Sequence, residues 1–277
     1  MAESSDTGRS LSGKEFSLDE ASCLLADTIS RAQDLASEVT EAFRSPWTLH
    51  PSGAVRVVLA FWVAKAFRHL RAIITLAKHH DLVKVADVHQ RQMLEIFLQA
   101  RAVISADPTA RERMAQKAAA WGCVDYLEKM EKVKEAPFAR NGYLEVQDQL
   151  THFDPDIVTE IRSDRKKRNM FWFGMPFTQL GATLSRDGED LGQVYRIASG
   201  QSHGSWDIAL DVANPEPGHL DFRGYPNDAQ LALWAAETVD EAMVLYHKLW
   251  NEVAEAVGAP LIQLPAELGP SPFAPPV

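Results

Sequence analysis

The sequence is poor in cysteine and in strand-like segments. Its only two cysteines among 277 residues, Cys23 and Cys123, lie far apart. Such spacing gives neither a disulfide framework nor a clustered zinc site. Only HLDFRGY, residues 219–225, alternates between polar and apolar positions, and it is too short to support a sheet. A chain that is 46% hydrophobic but lacks strands builds its core from helices.

Long uninterrupted apolar runs are also absent. The most hydrophobic stretch begins at Val55, and four basic residues between positions 56 and 71 interrupt it. Its uncharged runs are therefore too short to span a bilayer. Residues 1–16 are small and polar, without the apolar core of a secretory signal. We therefore expect a cytoplasmic protein with no membrane partner.

Positive charge is scarce, since the formal net charge is −10. An acidic chain repels nucleic acid as a whole, so RNA binding requires a local basic patch. The only dense basic patch, Arg162 to Arg168, holds five basic residues, of which Arg165, Lys166, Lys167 and Arg168 are adjacent, and an aromatic run that contains Trp172 follows it. Basic residues beside aromatics are typical of single-strand binding. The alternatives are a solvated helix end and an aromatic core.

Helix start signals recur along the chain. Ser17 and Glu20 form a capping box, Asp107 and Asp154 each precede a proline, and Asn227 precedes the last apolar helical repeat. The sequence therefore predicts an all-α, single-domain bundle of about seven or eight helices over residues 17–258. A disordered segment, residues 1–16, precedes the bundle, and a proline-rich tail, residues 259–277, follows it. Pro137 and Asn141-Gly142 are predicted to interrupt the helices.

The helix predicted over residues 189–203 carries a polar face. Seven residues are close to two helical turns, so Arg196 and His203 lie almost in line, with Ser199 nearby. The apolar stripe of this helix, predicted to face the core, comprises Leu191, Val194, Tyr195 and Ala198. Gly192 and Gly200 indicate close approach, either of another helix or of a substrate backbone.

Arg91 and Glu95 are four residues apart on another helix, with Gln92 and Gln99 on the same side. This spacing suits a solvated surface pair. Alternatively, the polar side meets the face of Arg196 and His203 inside the bundle. Glu95 would then orient His203, as a carboxylate orients a catalytic imidazole.

The six residues between Arg196 and His203 give a spacing that resembles the Arg-x(4–6)-His motif of HEPN-type helical ribonucleases. The resemblance implies RNA cleavage without metal, at a site that forms across a dimer. It would make His203 a general base or acid near the 2′-hydroxyl, and Arg196 would stabilise charge on the phosphorus centre.

A second resemblance covers roughly residues 60–210. An Arg-x-x-x-Glu helix, a "DP" helix start, a tryptophan segment and a Tyr-x-x-x-Ser-x-x-x-His-Gly helix resemble a bacterial helical family of unknown function. The matching positions are Arg91 and Glu95, Asp107-Pro108, Trp172, and Tyr195, Ser199, His203 and Gly204. The resemblance implies a fold rather than an activity. Because both helices recur in that family, we predict that Glu95 reaches a residue of the 195–203 helix.

These patterns leave two functional hypotheses. The first is a metal-independent endoribonuclease, with a defence or toxin role, whose catalytic residues are His203, Arg196 and Glu95. Arg91, Tyr195, Ser199, Trp172 and the basic patch would contribute to binding. The alternative is a non-catalytic module that binds a small ligand or a partner protein through the polar seam of Arg91, Glu95 and His203. A seam that merely locks helix register also remains open.

Partners and cofactors follow from simpler observations. No His pair at metal-ligand spacing, phosphate loop or dinucleotide fingerprint occurs in the sequence, so we expect neither metal nor cofactor. Six of the seven tryptophans carry more aromatic surface than one core easily hides, which predicts a homodimer. They are Trp62, Trp121, Trp172, Trp206, Trp234 and Trp250.

Overall fold

The computed structural model describes residues 7–9, 14–44, 53–79, 82–165, 171–186, 190–202, 214–216, 219–221 and 227–257. Within them lie nine α-helices: α1 (Leu18–Arg44), α2 (Ala54–Ala77), α3 (Val83–Ser105), α4 (Pro108–Met130), α5 (Pro137–Leu150), α6 (Pro155–Asp164), α7 (Phe177–Leu184), α8 (Leu191–Ser202) and α9 (Asp228–Val257). A 3₁₀ turn, Glu131–Val133, follows α4. The predicted all-α class is confirmed.

Two short antiparallel ribbons accompany the helices. Strand β1 (Thr7–Arg9) pairs with β2 (Glu15–Ser17), and β3 (Asn214–Glu216) pairs with β4 (His219–Asp221). Strand β4 takes up the first three residues of the alternating HLDFRGY segment. The first ribbon lies largely within the stretch for which the sequence indicates disorder, residues 1–16.

The helix count differs from the sequence prediction because α5 occupies the stretch expected to be an interruption. Pro137 stands at the first position of α5, where a missing N–H costs nothing, and extended Ala136 precedes it. Gly142 lies inside the same helix. A Cβ atom at Gly142 would come within 2.8 Å of the Tyr126 hydroxyl oxygen. Glycine therefore permits close packing of α5 on α4, which outweighs its low helix propensity.

The predicted helix caps are confirmed. The Ser17 N–H donates to Glu20 Oε2 at 2.9 Å, and the Glu20 N–H donates to Ser17 Oγ at 3.3 Å, which completes a capping box. The carboxylates of Asp107 and Asp154 accept hydrogen bonds from first-turn N–H groups of α4 and α6. Asn227 accepts a 2.8 Å hydrogen bond from the N–H of Gln230 at the start of α9.

The chain divides into two compact units. Unit 1 comprises Met1–Trp47, Val63–Phe97 and Gln193–Val277, and unit 2 comprises Thr48–Trp62 and Leu98–Gly192. Three of their four boundaries fall inside helices α2, α3 and α8. The assignment of residues 17–258 to one domain stays a prediction.

Unit 1 is built around α1 and α9. The buried side of α1 includes Leu35 and Val39, and α9 contributes Val239, Tyr246 and Leu249, each at most 3% exposed. Aromatic rings of three helices pack in series within this core. The ring centroid of Phe67, on α2, lies 5.7 Å from that of Phe43 and 5.9 Å from that of Tyr246. The Trp250 ring contacts the rings of Phe43 and Tyr246.

Unit 2 packs α4, α5 and α6 around a small apolar cluster, which comprises Ala120, Val124, Leu150, Ile157 and Ile161. A second cluster lies around the aromatic residues before α7. Trp172 stacks on Trp62 with 6.0 Å between ring centroids, and Phe173 meets Trp172 edge-on.

Most of the described tryptophans are buried within the fold. Trp62, Trp172 and Trp250 are each no more than 6% exposed, and Trp121 and Trp234 are half-buried. Trp47 and Trp206 lie outside the described residues. The homodimer expected from the tryptophan content stays a prediction. Among the described helices, none is long and apolar enough to cross a membrane.

Candidate functional site

Helix α8 has one buried side and one exposed side. Leu191 and Tyr195 are 8% and 7% exposed, whereas Val194 and Ile197 are 48% and 53% exposed, and Arg196 lies with them on the surface. The prediction that Val194 faces the core is wrong. Adjacent helix positions differ by about 100°, and the buried arc of α8 is centred on Tyr195 and too narrow to include Val194.

The buried side of α8 meets the polar side of α3 through one hydroxyl group. Tyr195 Oη donates to Glu95 Oε1 at 3.0 Å, and Arg91 Nε donates to the same oxygen at 3.0 Å. Gln92 Nε2 donates to Glu95 Oε2 at 3.3 Å. Arg91 also lies near Tyr195, with its Nη2 3.4 Å from the hydroxyl oxygen. The predicted contact between Glu95 and the 195–203 helix is confirmed.

This Arg91–Glu95–Tyr195 network is half-buried. The Arg91 and Glu95 side chains are 18% and 15% exposed, so the solvated-stripe interpretation of this pair is wrong. Burial raises the pKa of the Tyr195 hydroxyl, and the adjacent Glu95 carboxylate raises it further. The hydroxyl is therefore protonated at neutral pH and donates to the carboxylate. Three donors occupy Glu95, which makes it an anchor for α8 rather than a free base.

Arg196 belongs to a different environment. Its Nη1 donates to Gln193 Oε1 at 3.0 Å on the exposed side of the helix, about 100° around α8 from Tyr195. The structure therefore does not bring Arg196 to Glu95. Ser199 is half-buried one turn beyond Tyr195. His203 lies outside the described residues, so its predicted contact with Glu95 stays a prediction.

Glycine in the first turn of α8 serves helix packing. A Cβ atom at Gly192 would lie 2.9 Å from the Thr178 carbonyl oxygen, and one at Gly181 would lie 2.8 Å from the Leu191 carbonyl oxygen. Helices α7 and α8 thus meet backbone to backbone at these two glycines. Of the two explanations for Gly192, close approach of another helix is confirmed. The surroundings of Gly200 lie outside the description.

Arg165, in the basic patch, is already paired with carboxylates. Arg165 Nη2 lies 2.9 Å from Asp125 Oδ1 and 2.7 Å from Glu128 Oε2. Its guanidinium also lies 4.8 Å from the centre of the Trp121 ring. Arg165 therefore links α4 to the end of α6. Two carboxylates already occupy its guanidinium, which is not available to bind phosphate. Lys166, Lys167 and Arg168 lie outside the described residues, and their role in RNA binding stays a prediction.

Trp172 is a core residue in this structure. It is 2% exposed, and its indole N–H donates to Gln99 Oε1 at 2.9 Å. A nucleic-acid base cannot reach a ring that is covered on both sides. Trp172 therefore belongs to an aromatic core, and the prediction that it contributes to binding is wrong.

Sequence reasoning missed a histidine pair in unit 1. Nδ1 of His69 on α2 lies 3.1 Å from Nδ1 of His89 on α3. Burial, the neighbouring His89 and Lys65 lower the pKa of His69 to about 4, so at neutral pH it is uncharged. Helical periodicity places each histidine at the edge of a buried stripe, but it cannot show that they meet. Among the described residues, no three His, Cys, Asp or Glu side chains converge as metal ligands.

The chain matches one family over most of its helical part. The sequence pattern of the family of unknown function DUF5677 matches residues 56–219. The chain belongs to this family. The resemblance drawn from the Arg91–Glu95 helix and the Tyr195–His203 segment is thereby confirmed, and these two segments are the ones that the network joins. No curated protein and no solved structure matches the chain. The resemblance to HEPN-type ribonucleases stays a prediction.

Proposed function

We propose that the chain is a metal-independent endoribonuclease of the HEPN type, with Arg196 and His203 acting at a site that forms across a homodimer. The observation that supports this proposal is the position of Arg196. It lies on the outer side of α8 between exposed Val194 and Ile197, and its hydrogen-bond partner is the neutral Gln193.

Arg196 carries a positive charge in a chain where acidic residues outnumber basic ones by 38 to 28. Within the described residues, no carboxylate contacts Arg196. Its guanidinium can therefore take a phosphate group without first breaking an ion pair.

Val194 and Ile197 support the dimeric part of the proposal. Exposed apolar side chains cost about 25 cal/mol for each Å² that they leave in water, so a partner surface that covers them is favourable. Two copies of α8 that meet through these residues would bring two copies of Arg196 together. The Tyr195–Glu95 hydrogen bond supports this arrangement, because it fixes which side of α8 faces outward.

The chemistry requires proton transfers and charge stabilisation. His203 would take the proton from a ribose 2′-hydroxyl, and the resulting oxygen would attack the adjacent phosphorus and displace the 5′-oxygen of the next nucleotide. Arg196 would stabilise the negative charge that develops on the phosphoryl oxygens. A protonated copy of the same histidine would return a proton to the leaving oxygen. Glu95 has a positioning role in this scheme, since three donors already occupy it.

The test is cleavage of single-stranded RNA by purified protein in the presence of EDTA. His203→Ala should lower the cleavage rate by roughly 10²–10⁴-fold with little change in the thermal midpoint. Arg196→Ala should have a comparable effect. Arg140→Ala is the matched control, because Arg140 is an exposed arginine of α5 without a side-chain partner among the described residues. No cleavage by the unmodified chain, or equal loss in the control, would refute the proposal.

The structural alternative, in which the seam only locks helix register, is favoured by a different observation. Every polar atom of the Glu95 carboxylate already has a donor, as in a structural seam that sets helix register. If the seam is structural, His203→Ala lowers the free energy of unfolding by roughly 1–3 kcal/mol, and neither variant nor parent cuts RNA.

A further inference from the structure

Unit 2 contains an open cleft of about 680 Å³ between α4, α5 and α6. Its floor is apolar and comprises Val124, Leu127, Leu150, Phe153 and Val158. Val124 and Leu150 belong to the buried cluster of this unit, whereas the other three are only partly covered. The floor therefore offers hydrocarbon surface that the fold itself leaves in contact with water.

The two carboxylates on the rim of the cleft are already compensated. Glu128 forms an ion pair with Arg165, with 2.7 Å between Oε2 and Nη2. Glu131 forms an ion pair with Lys134, with 2.6 Å between Oε1 and Nζ. Tyr143 Oη also donates to Glu131, at 2.6 Å. Hydrogen bonds from Lys134 and Tyr143 lower the pKa of Glu131, so it stays ionised and paired. These acids leave little negative charge for a cationic ligand.

One cation on the rim has no side-chain partner among the described residues. Arg162, in the last turn of α6, is exposed and lines the cleft. Its guanidinium makes no hydrogen bond or ion pair with the part of the chain that the structure describes. The side-chain amide of Gln147, also on the rim, is likewise unpaired within the structure as described. The cleft thus combines an apolar floor with one uncompensated positive charge and one free amide.

We infer that this cleft binds a small amphipathic anion, with its aromatic or aliphatic body on the apolar floor and its acidic group against Arg162. The volume suits such a ligand, since small-molecule sites typically measure about 300–1,000 Å³. The guanidinium presents paired N–H donors that match a carboxylate, sulfonate or phosphate group. The inference concerns unit 2 and does not depend on the proposed activity of α8.

Two fluorescent probes separate the two parts of this site. Anilinonaphthalene sulfonate carries an aromatic body and an anionic group, and N-phenylnaphthylamine carries the same body without the charge. The sulfonate should bind the full chain saturably with one molecule per chain. Arg162→Gln should weaken sulfonate binding about tenfold, the loss of one charge-assisted contact, and leave the neutral probe unchanged. Arg140→Gln, which removes an equal charge from the same unit, should change neither.

A variant of the floor tests the apolar half. Val158→Trp should fill the cleft and weaken both probes, with circular dichroism as the check that the helices remain. The inference fails if Arg162→Gln leaves sulfonate binding unchanged, if Arg140→Gln weakens it equally, or if neither probe binds saturably. Since Arg162 is exposed, its substitution tests the site even if the tryptophan variant does not fold.

Discussion

Removal of the Tyr195 hydroxyl tests whether the contact with Glu95 holds α8 in place. Tyr195→Phe deletes one donor to the carboxylate and keeps the packed ring, so the change isolates the 3.0 Å hydrogen bond. Arg91 and Gln92 continue to donate to Glu95, which therefore stays partly paired. A hydrogen bond to a charged group contributes about 1.5–3 kcal/mol. Because Glu95 retains some contact with water, we expect a loss of about 1.5 kcal/mol.

Glu95→Ala should cost more, roughly 2–3 kcal/mol, because it leaves the Arg91 guanidinium and the Tyr195 hydroxyl half-buried without their acceptor. The Glu95→Ala, Tyr195→Phe double variant should lose less than the sum of the two single losses. The difference, the coupling free energy, should be about 1 kcal/mol.

Urea unfolding at pH 7 measures all four proteins. Tyr143→Phe provides a matched control, since it also removes a tyrosine hydroxyl that donates to a glutamate, but Glu131 is 53% exposed. Because this contact is exposed to solvent, the control should lose much less stability than Tyr195→Phe. A coupling free energy near zero between Glu95 and Tyr195, or equal losses for Tyr195→Phe and Tyr143→Phe, would show that the contact does not fix α8.

Three further outcomes are expected. The pKa of His69 is about 4, below the 6.5 of an unperturbed histidine, so the fold loses stability as the pH falls from about 6.5 to 4. His69→Asn should remove this pH dependence. In urea unfolding at several pH values, the free energy of unfolding that depends on His69 should be roughly 1–2 kcal/mol. Burial raises the pKa of Asp87 to about 6, so the fold loses stability as the pH rises from about 4 to 6. Asp87→Asn should raise the free energy of unfolding by roughly 1–3 kcal/mol at pH 7. An unchanged free energy of unfolding would contradict the burial of Asp87 as an ion. Gly181→Ala should lower the thermal midpoint, because its Cβ atom would meet the α8 backbone. Gly122→Ala should raise the midpoint, because nothing lies within 4 Å of the new Cβ atom and the higher helix propensity of alanine stabilises the fold by up to about 1 kcal/mol.

Local signals in the sequence predict the helix starts well. The capping box of Ser17 and Glu20 and the aspartates before Pro108 and Pro155 act through hydrogen bonds within one turn. Such contacts depend on neighbours in the chain, so the pattern of residue types is sufficient to find them.

Features that depend on distant residues are harder to predict. Gly142 indicates an interruption by its propensity, yet it lies inside α5, with the Tyr126 hydroxyl 2.8 Å from the position a Cβ atom would take. Val194 fits an apolar stripe, yet the contact of Tyr195 with Glu95 determines which arc of α8 is buried. Periodicity alone would place Glu95 in solvent. The family resemblance, which carries information about both helices, is what made its contact with α8 predictable.

The stacked indoles of Trp62 and Trp172 provide unit 2 with an optical signal of its own. Their rings lie 6.0 Å apart and 23° from parallel, close enough for their excited states to couple. Such coupling produces a paired positive and negative band in circular dichroism, and the band reports the mutual orientation of the two rings. Trp234 and Trp250 of unit 1 lie in other surroundings. Loss of the paired band while the helical signal persists would therefore show that the interior of unit 2 loosens before its helices melt.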